Sequence, residues 1–130
     1  WNLRVVNTRH TVQNLGLRLE AGSPTKVFCY SGDGMFTPTA SKLYTNADLL
    51  VHEAYTSDGT VKNPRGETVT IGTKTHCSLQ QLERLDDMAR PKKMALIHLN
   101  RKLREEKKDI LKKYRQRRWI MPDAGEVIEL

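Results

Sequence analysis

The sequence predicts a mixed α/β fold in one domain spanning residues 1–130, and three observations carry that prediction. Short apolar runs recur at Val27–Tyr30, Leu49–Val51 and Met94–Ile97, bounded by polar or turn-forming residues, which is the pattern of buried strands. Between them lie helix signatures, the clearest being Ser78-Leu79-Gln80-Gln81, a capping box ahead of an apolar stripe at Leu79, Leu82 and Leu85. The length of 130 residues, with 38% hydrophobic and 28% charged residues, suits one soluble core.

The elements follow in order. Leu3–Val6 and Leu15–Leu19 read as strands, the second alternating with period two. Gly22-Ser23-Pro24-Thr25 is a turn leading into the strand Lys26–Tyr30. Thr37-Pro38 opens a short helix through Ala40 and Leu43, since proline suits a first helical turn. Asp48–His52 is a buried strand ending at Glu53. Tyr55–Thr75 is polar, with turn signals at Asp58-Gly59, Asn63-Pro64 and Gly66, and reads as one long loop, a class that often carries function. The capping box starts a helix running to about Met88, and Met94–Ile97 is the next strand, with His98 at its end. A basic helix is expected from Lys102 to about Arg117, with Leu103, Ile110, Leu111 and Tyr114 inward. Trp119–Met121 and Val127–Leu130 close the chain as strands around a turn at 122–125.

The net charge is +7, and it is uneven. Arg90–Arg118 holds 13 Lys and Arg against 3 acidic residues, so that stretch stands at +10 and the remainder at −3. Such a stripe suits a polyanion such as nucleic acid; a solvated helix face is the commoner meaning of a charge run. Cys29 and Cys77 are too few for a disulfide framework, so a reducing, cytoplasmic setting is expected. No apolar run approaches the ~20 residues of a membrane-spanning helix. The chain starts at Trp1, within an expected strand and without Met, as a fragment or processed chain would.

The candidate chemistry lies at strand ends. Val27–Tyr30 stops at Ser31-Gly32-Asp33-Gly34, where two glycines permit a tight turn around one carboxylate. Ends of strands in α/β sheets are where ligand sites gather. His52 and His98 end apolar strands, His76 precedes a helix cap, and His10 lies between two strands. Histidines and an aspartate so placed can converge on one sheet rim to bind zinc; each alone is as readily a structural or surface residue, and the aspartate is as readily an ordinary Asp-Gly turn.

The ordered blocks His10-Thr11-Val12, Tyr30-Ser31-Gly32-Asp33, Ala47–Ala54 (Ala-Asp-Leu-Leu-Val-His-Glu-Ala), Thr75-His76-Cys77-Ser78 and Ile97-His98-Leu99 resemble the second half of the metallo-β-lactamase superfamily, closest to its ribonuclease Z-like branch. The resemblance implies an αββα sandwich, of which residues 1–130 would be the C-terminal half. It implies two metal ions, usually Zn2+, with Mn2+ or Fe as alternatives. In that reading His10 completes the ligands of the first metal, Asp33 bridges both and His98 binds the second. His76 would be the non-ligand histidine that assists the leaving group, Glu53 the carboxylate that orients it, and His52 structural. Paired metals would lower the pKa of a shared water and neutralise charge developing on a scissile phosphate.

The chain departs from the family in two respects. The His-x-His-x-Asp-His signature that supplies most ligands is absent, so neither metal has a full set from this chain. A missing N-terminal half or a partner chain is needed to complete the site, and a homodimer is possible. Where ribonuclease Z enzymes usually carry Thr, Gly34 and Tyr55 stand here, and Ile97–Arg101 differs from the usual Ser-rich segment. Three functions follow as expectations. The first is a metal-dependent phosphodiesterase, ribonuclease Z-like and as such a candidate for tRNA 3′-processing. The second is a non-catalytic module that binds nucleic acid or a partner through the basic stripe. The third is an esterase, lactonase or arylsulfatase on the same scaffold.

Overall fold

A computed structural model describes residues 1–70 and 75–130. Eight strands and four α-helices occur among them: β1 (Asn2–Asn7), β2 (Leu15–Ala21), β3 (Lys26–Tyr30), α1 (Pro38–Leu43), β4 (Leu49–Glu53), β5 (Thr60–Lys62), β6 (Thr68–Thr70), α2 (Leu79–Ala89), β7 (Met94–Ile97), α3 (Arg101–Glu105), α4 (Lys107–Lys113) and β8 (Trp119–Ile120). Six of the strands form one sheet in the order β1-β2-β3-β4-β7-β8, antiparallel from β1 to β3 and parallel from β3 to β8.

Side-chain caps set where α1, α2 and α3 start. Thr37 accepts the Ala40 amide at 3.1 Å, with Pro38 in the first turn of α1. Ser78 and Gln81 make the reciprocal capping box of α2. Asn100 accepts the Leu103 amide at 2.9 Å to open α3. The helices bridge strands that advance in one direction across the sheet, and right-handed crossovers then place all of them on one face. That face is the core: Cys29, Leu50, Met94, Leu96 and Trp119 from the strands pack with Ala40 and Tyr44 beside α1, Leu82 and Leu85 of α2, and Leu103 and Ile110 of α3 and α4.

The opposite face is apolar as well. Strand pairing puts Leu3, Val5, Leu15, Leu17, Leu19, Phe28, Tyr30, Val51, Ile97 and Ile120 on it together. Every one of these is half-buried or exposed, Val5 reaching 59%, while Leu49 and Ala95 at the centre of the same face are buried. No helix among the described residues covers this face.

Three local expectations are corrected. Tyr55–Thr75 is not a plain loop: Thr60–Lys62 and Thr68–Thr70 pair as an antiparallel hairpin, with the Asn63-Pro64 and Gly66 turn signals at its tip. Residues 71–74 of that stretch lie outside the described residues. The basic segment is not one helix. It breaks at Glu106 into α3 and α4, then ends in a single 3-10 turn, Arg115–Arg117. Glu106 and Tyr114 both take non-helical backbone angles, letting the segment bend back to β8. Val127–Leu130 forms no strand. Its apolar residues pair with no strand among the described residues, and strand propensity without pairing does not make a sheet.

Candidate metal and acid–base site

Because β3, β4 and β7 run parallel, the segments after them emerge on one edge of the sheet. Asp33 follows β3, Glu53 ends β4 and His98 follows β7. His76 reaches the same edge from the segment before α2. The Tyr55 amide donates to the Cys77 carbonyl at 2.9 Å, and Thr56 bridges Ser78, so His76 is tied alongside the end of β4. His10 comes over from the β1–β2 connection, where Arg9 and Met35 exchange two backbone hydrogen bonds of 2.8 and 2.9 Å.

The Asp33 turn is built by steric demand. Gly32 has φ +66, a left-handed conformation that glycine tolerates best. A Cβ on Gly32 would lie 2.6 Å from Asn14 Oδ1, and one on Gly34 2.7 Å from the Arg9 carbonyl oxygen. Asn14 holds the turn from above: its Oδ1 accepts the Asp33 amide at 3.2 Å and its Nδ2 donates to the Ser31 carbonyl at 3.4 Å and to Thr8 Oγ1. Buried Ser31 joins the ends of β3 and β4, its amide donating to the Val51 carbonyl at 3.0 Å and its hydroxyl accepting the Glu53 amide at 3.3 Å.

Glu53 is fully buried and fully engaged. Its Oε1 accepts the Cys77 amide at 2.8 Å, and its Oε2 accepts from His76 Nδ1 at 2.8 Å. Burial raises its pKa above the ordinary carboxylate range; the His76 and Cys77 hydrogen bonds pull the other way. With Nδ1 spoken for, the nitrogen of His76 left for chemistry is Nε2. His98 Nδ1 contacts Asp33 Oδ1 directly and lies 3.6 Å from Glu53 Oε2. Ligand-capable atoms of Asp33, Glu53, His76 and His98 all fall within 4.8 Å of one another. Carboxylate and imidazole donors at this spacing fit a divalent metal such as Zn2+. Asp33 and His98 are the two with open access, their side chains 49% and 43% exposed. His10 is outside that group, but its ring meets the His76 ring edge-on at 5.2 Å.

Two further residues complete the geometry. Asn14 carries no motif that would mark it. Tyr55 stacks on His76 at 4.7 Å and meets His98 edge-on at 5.5 Å, flanking both imidazoles, which meet each other edge-on at 5.7 Å. His52 is placed apart, on the helix-covered face. Its Nδ1 lies 2.9 Å from the Glu53 carbonyl oxygen and its ring lies edge-on to Phe36 and Tyr44. Burial lowers its pKa to about 4, so it is neutral at pH 7.

Solved structures similar to this chain share one fold. PqqB from Methylobacterium extorquens, in its Zn2+-bound crystal structure, is 19% identical over 99% of this chain and 50% of its own, with a TM-score of 0.66. The short form of human tRNase Z is 20% identical over 78% of this chain and 38% of its own, TM-score 0.61. YhfI from Bacillus subtilis, described as a metallo-β-lactamase fold protein, is 20% identical over 83% of this chain and 42% of its own, TM-score 0.60. The chain thus spans half or less of the length of these structures. No family model and no curated protein matches the sequence.

Proposed function

For a chain with the metallo-β-lactamase fold, we propose the role of a metal-dependent hydrolase of phosphodiester bonds, in the manner of the ribonuclease Z-like branch. The observation that carries this reading is the buried Glu53–His76 pair set against the exposed Asp33–His98 pair on one sheet edge. Asp33 and His98, together with His10 on the far side of the His76 ring contact, are assigned as the metal ligands. Zn2+, two ions when the site is complete, supplies an activated water and neutralises charge on the phosphate. Glu53 fixes the His76 tautomer through Nδ1, which leaves Nε2 to hold the proton that the departing oxygen takes up. Tyr55 restrains the same ring from its face.

The remaining ligands come from a polypeptide segment outside these 130 residues, carried by a second layer packed on the uncovered apolar face. Supporting this, the ligands of this chain fall short of two full metal shells, and the similar structures are at least twice as long.

The test is hydrolysis of bis(p-nitrophenyl) phosphate by the protein from its full reading frame, loaded with Zn2+. Asp33→Asn and His76→Ala are each expected to lower kcat by 10²–10⁴. Activity unchanged in both would remove these assignments.

The basic stripe favours a second reading, a non-catalytic module that binds nucleic acid. Lys102, Arg104, Lys108, Lys112 and Arg115 are all exposed on the α3–α4 segment. Binding of this kind weakens steeply with salt, because each phosphate contact releases counterions. A plot of log K against log salt with a slope of about −4 or steeper for a single-stranded RNA, together with no hydrolysis, would favour the module. A flat plot would remove it.

A further inference from the structure

His98 also borders a second feature. A cavity of about 290 Å3 lies between the end of β7, the α3–α4 segment and the residues that follow β8. Leu99, Met121 and Pro122 give it apolar walls, and Arg104 and Lys107 reach it from the helices. Its size is at the lower end for small-molecule sites, with room for one charged group and an attached ring.

Its charges are unbalanced. Lys107 Nζ pairs with Asp123 Oδ1 at 2.9 Å, but Asp123 is 84% exposed, so water screens that pair and it is easily exchanged. Arg104 has no ion pair or side-chain hydrogen bond among the described residues. The cavity thus presents one uncommitted guanidinium and one weakly held ammonium against a single carboxylate. Its apolar walls strengthen their field relative to open water. A guanidinium is a planar fork matched to two oxygens of a phosphate, whereas an ammonium acts as a point charge.

We propose that this cavity is a phosphate subsite. It holds a phosphate group of the substrate next to the one that lies at Asp33 and His98, Arg104 clamping it through two N–H donors and Lys107 joining once it leaves Asp123. That the phosphate belongs to a substrate rests on the hydrolase function proposed above; the anion site itself stands independently of it.

Two measurements test it. In the first, inorganic phosphate is titrated into the protein and binding is followed by 31P line broadening. Saturable binding is expected. Arg104→Gln should weaken it at least 10-fold and Asp123→Asn should tighten it two- to five-fold by releasing Lys107. Arg84→Gln, which removes the same unit of charge from the exposed side of α2, should leave it unchanged. No binding, or equal losses in Arg104→Gln and Arg84→Gln, overturns the proposal. In the second, two p-nitrophenyl diesters of thymidine 5′-phosphate are compared, one bearing a 3′-phosphate and one with a free 3′-hydroxyl. Arg104→Gln should raise KM about 10-fold for the first only, with kcat unaltered. A KM equally raised for both overturns the placement beside the scissile phosphate. If the unaltered protein cleaves neither diester, the hydrolase reading fails, and the phosphate titration alone decides the subsite.

Discussion

Asp33 is presented by a turn that only small residues can make, and the two glycines around it serve different purposes. Gly32 is needed for its backbone angle and for space, Gly34 for space alone. Gly32→Ala should therefore combine left-handed strain with a clash against Asn14 and Leu15, destabilising by about 2–4 kcal/mol. Gly66→Ala is the matched control: it too has a positive φ, +78, but nothing lies within 4 Å of the added Cβ. It should cost about 1 kcal/mol, the strain alone. Urea unfolding of the two variants separates the contributions, and equal midpoints would show that contact with Asn14 and Leu15 is immaterial. The sequence marked this turn, because two glycines around a carboxylate are a local pattern. It could not mark Asn14, whose hydrogen bond to Asp33 joins residues far apart in the chain and leaves no local trace. The engagement of Glu53 with His76 was visible only through the resemblance of whole blocks; spacing alone gives no reason for that carboxylate to meet that ring.

At the scale of elements, legibility followed locality in the same way. The α2 start was readable because a capping box is written in four consecutive residues, and it appears with both reciprocal hydrogen bonds. It also does more than begin a helix. Ser78 follows the His76-Cys77 pair whose side chain and amide hold Glu53, so fraying of α2 would loosen the acid–base pair. Ser78→Ala should cost about 1 kcal/mol of stability, as loss of a cap does, and lower kcat more than it raises KM. Ser78→Asp, which can still cap, should restore both. Failure of Ser78→Asp to rescue activity while stability recovers would separate the helix start from the site. The α3–α4 break was not readable, since Leu103, Ile110 and Tyr114 fit a continuous helix equally well. The bend at Glu106 arises from the need to return to β8, a demand of the sheet rather than of the local residues. The hairpin at 60–70 was missed for a related reason: its turn residues were noted, but its strands are three residues each, too short for alternation to register.

Across the whole molecule, the sheet has one dressed face and one bare face, and both are apolar. Burying only the helix side leaves Leu3, Val5, Leu17, Leu19 and Phe28 at least partly open to water, a contiguous surface larger than the scattered apolar residues usual on a soluble monomer. Leu15–Leu19 alternates with period two; its odd positions are apolar and the even ones, with Arg18 and Glu20, sit on the helix side, Arg18 donating to the Leu43 and Thr45 carbonyls. An arrangement of that kind is stable in water if a second layer covers the odd positions. Val5, the most open of the large apolar residues in the paired strands at 59%, tests this. In the protein from the full reading frame, Val5→Asp would bury an unpaired carboxylate against the second layer and should lower stability by about 2–3 kcal/mol. In residues 1–130 alone the same change puts a charge into water, so stability should move by less than about 0.5 kcal/mol while solubility rises. Chemical denaturation of both lengths reads the difference directly. A large loss only in the longer protein places the second layer on this face; small and equal effects in both would mean that the apolar face stays in solvent and that the completing ligands must approach the metal edge from elsewhere.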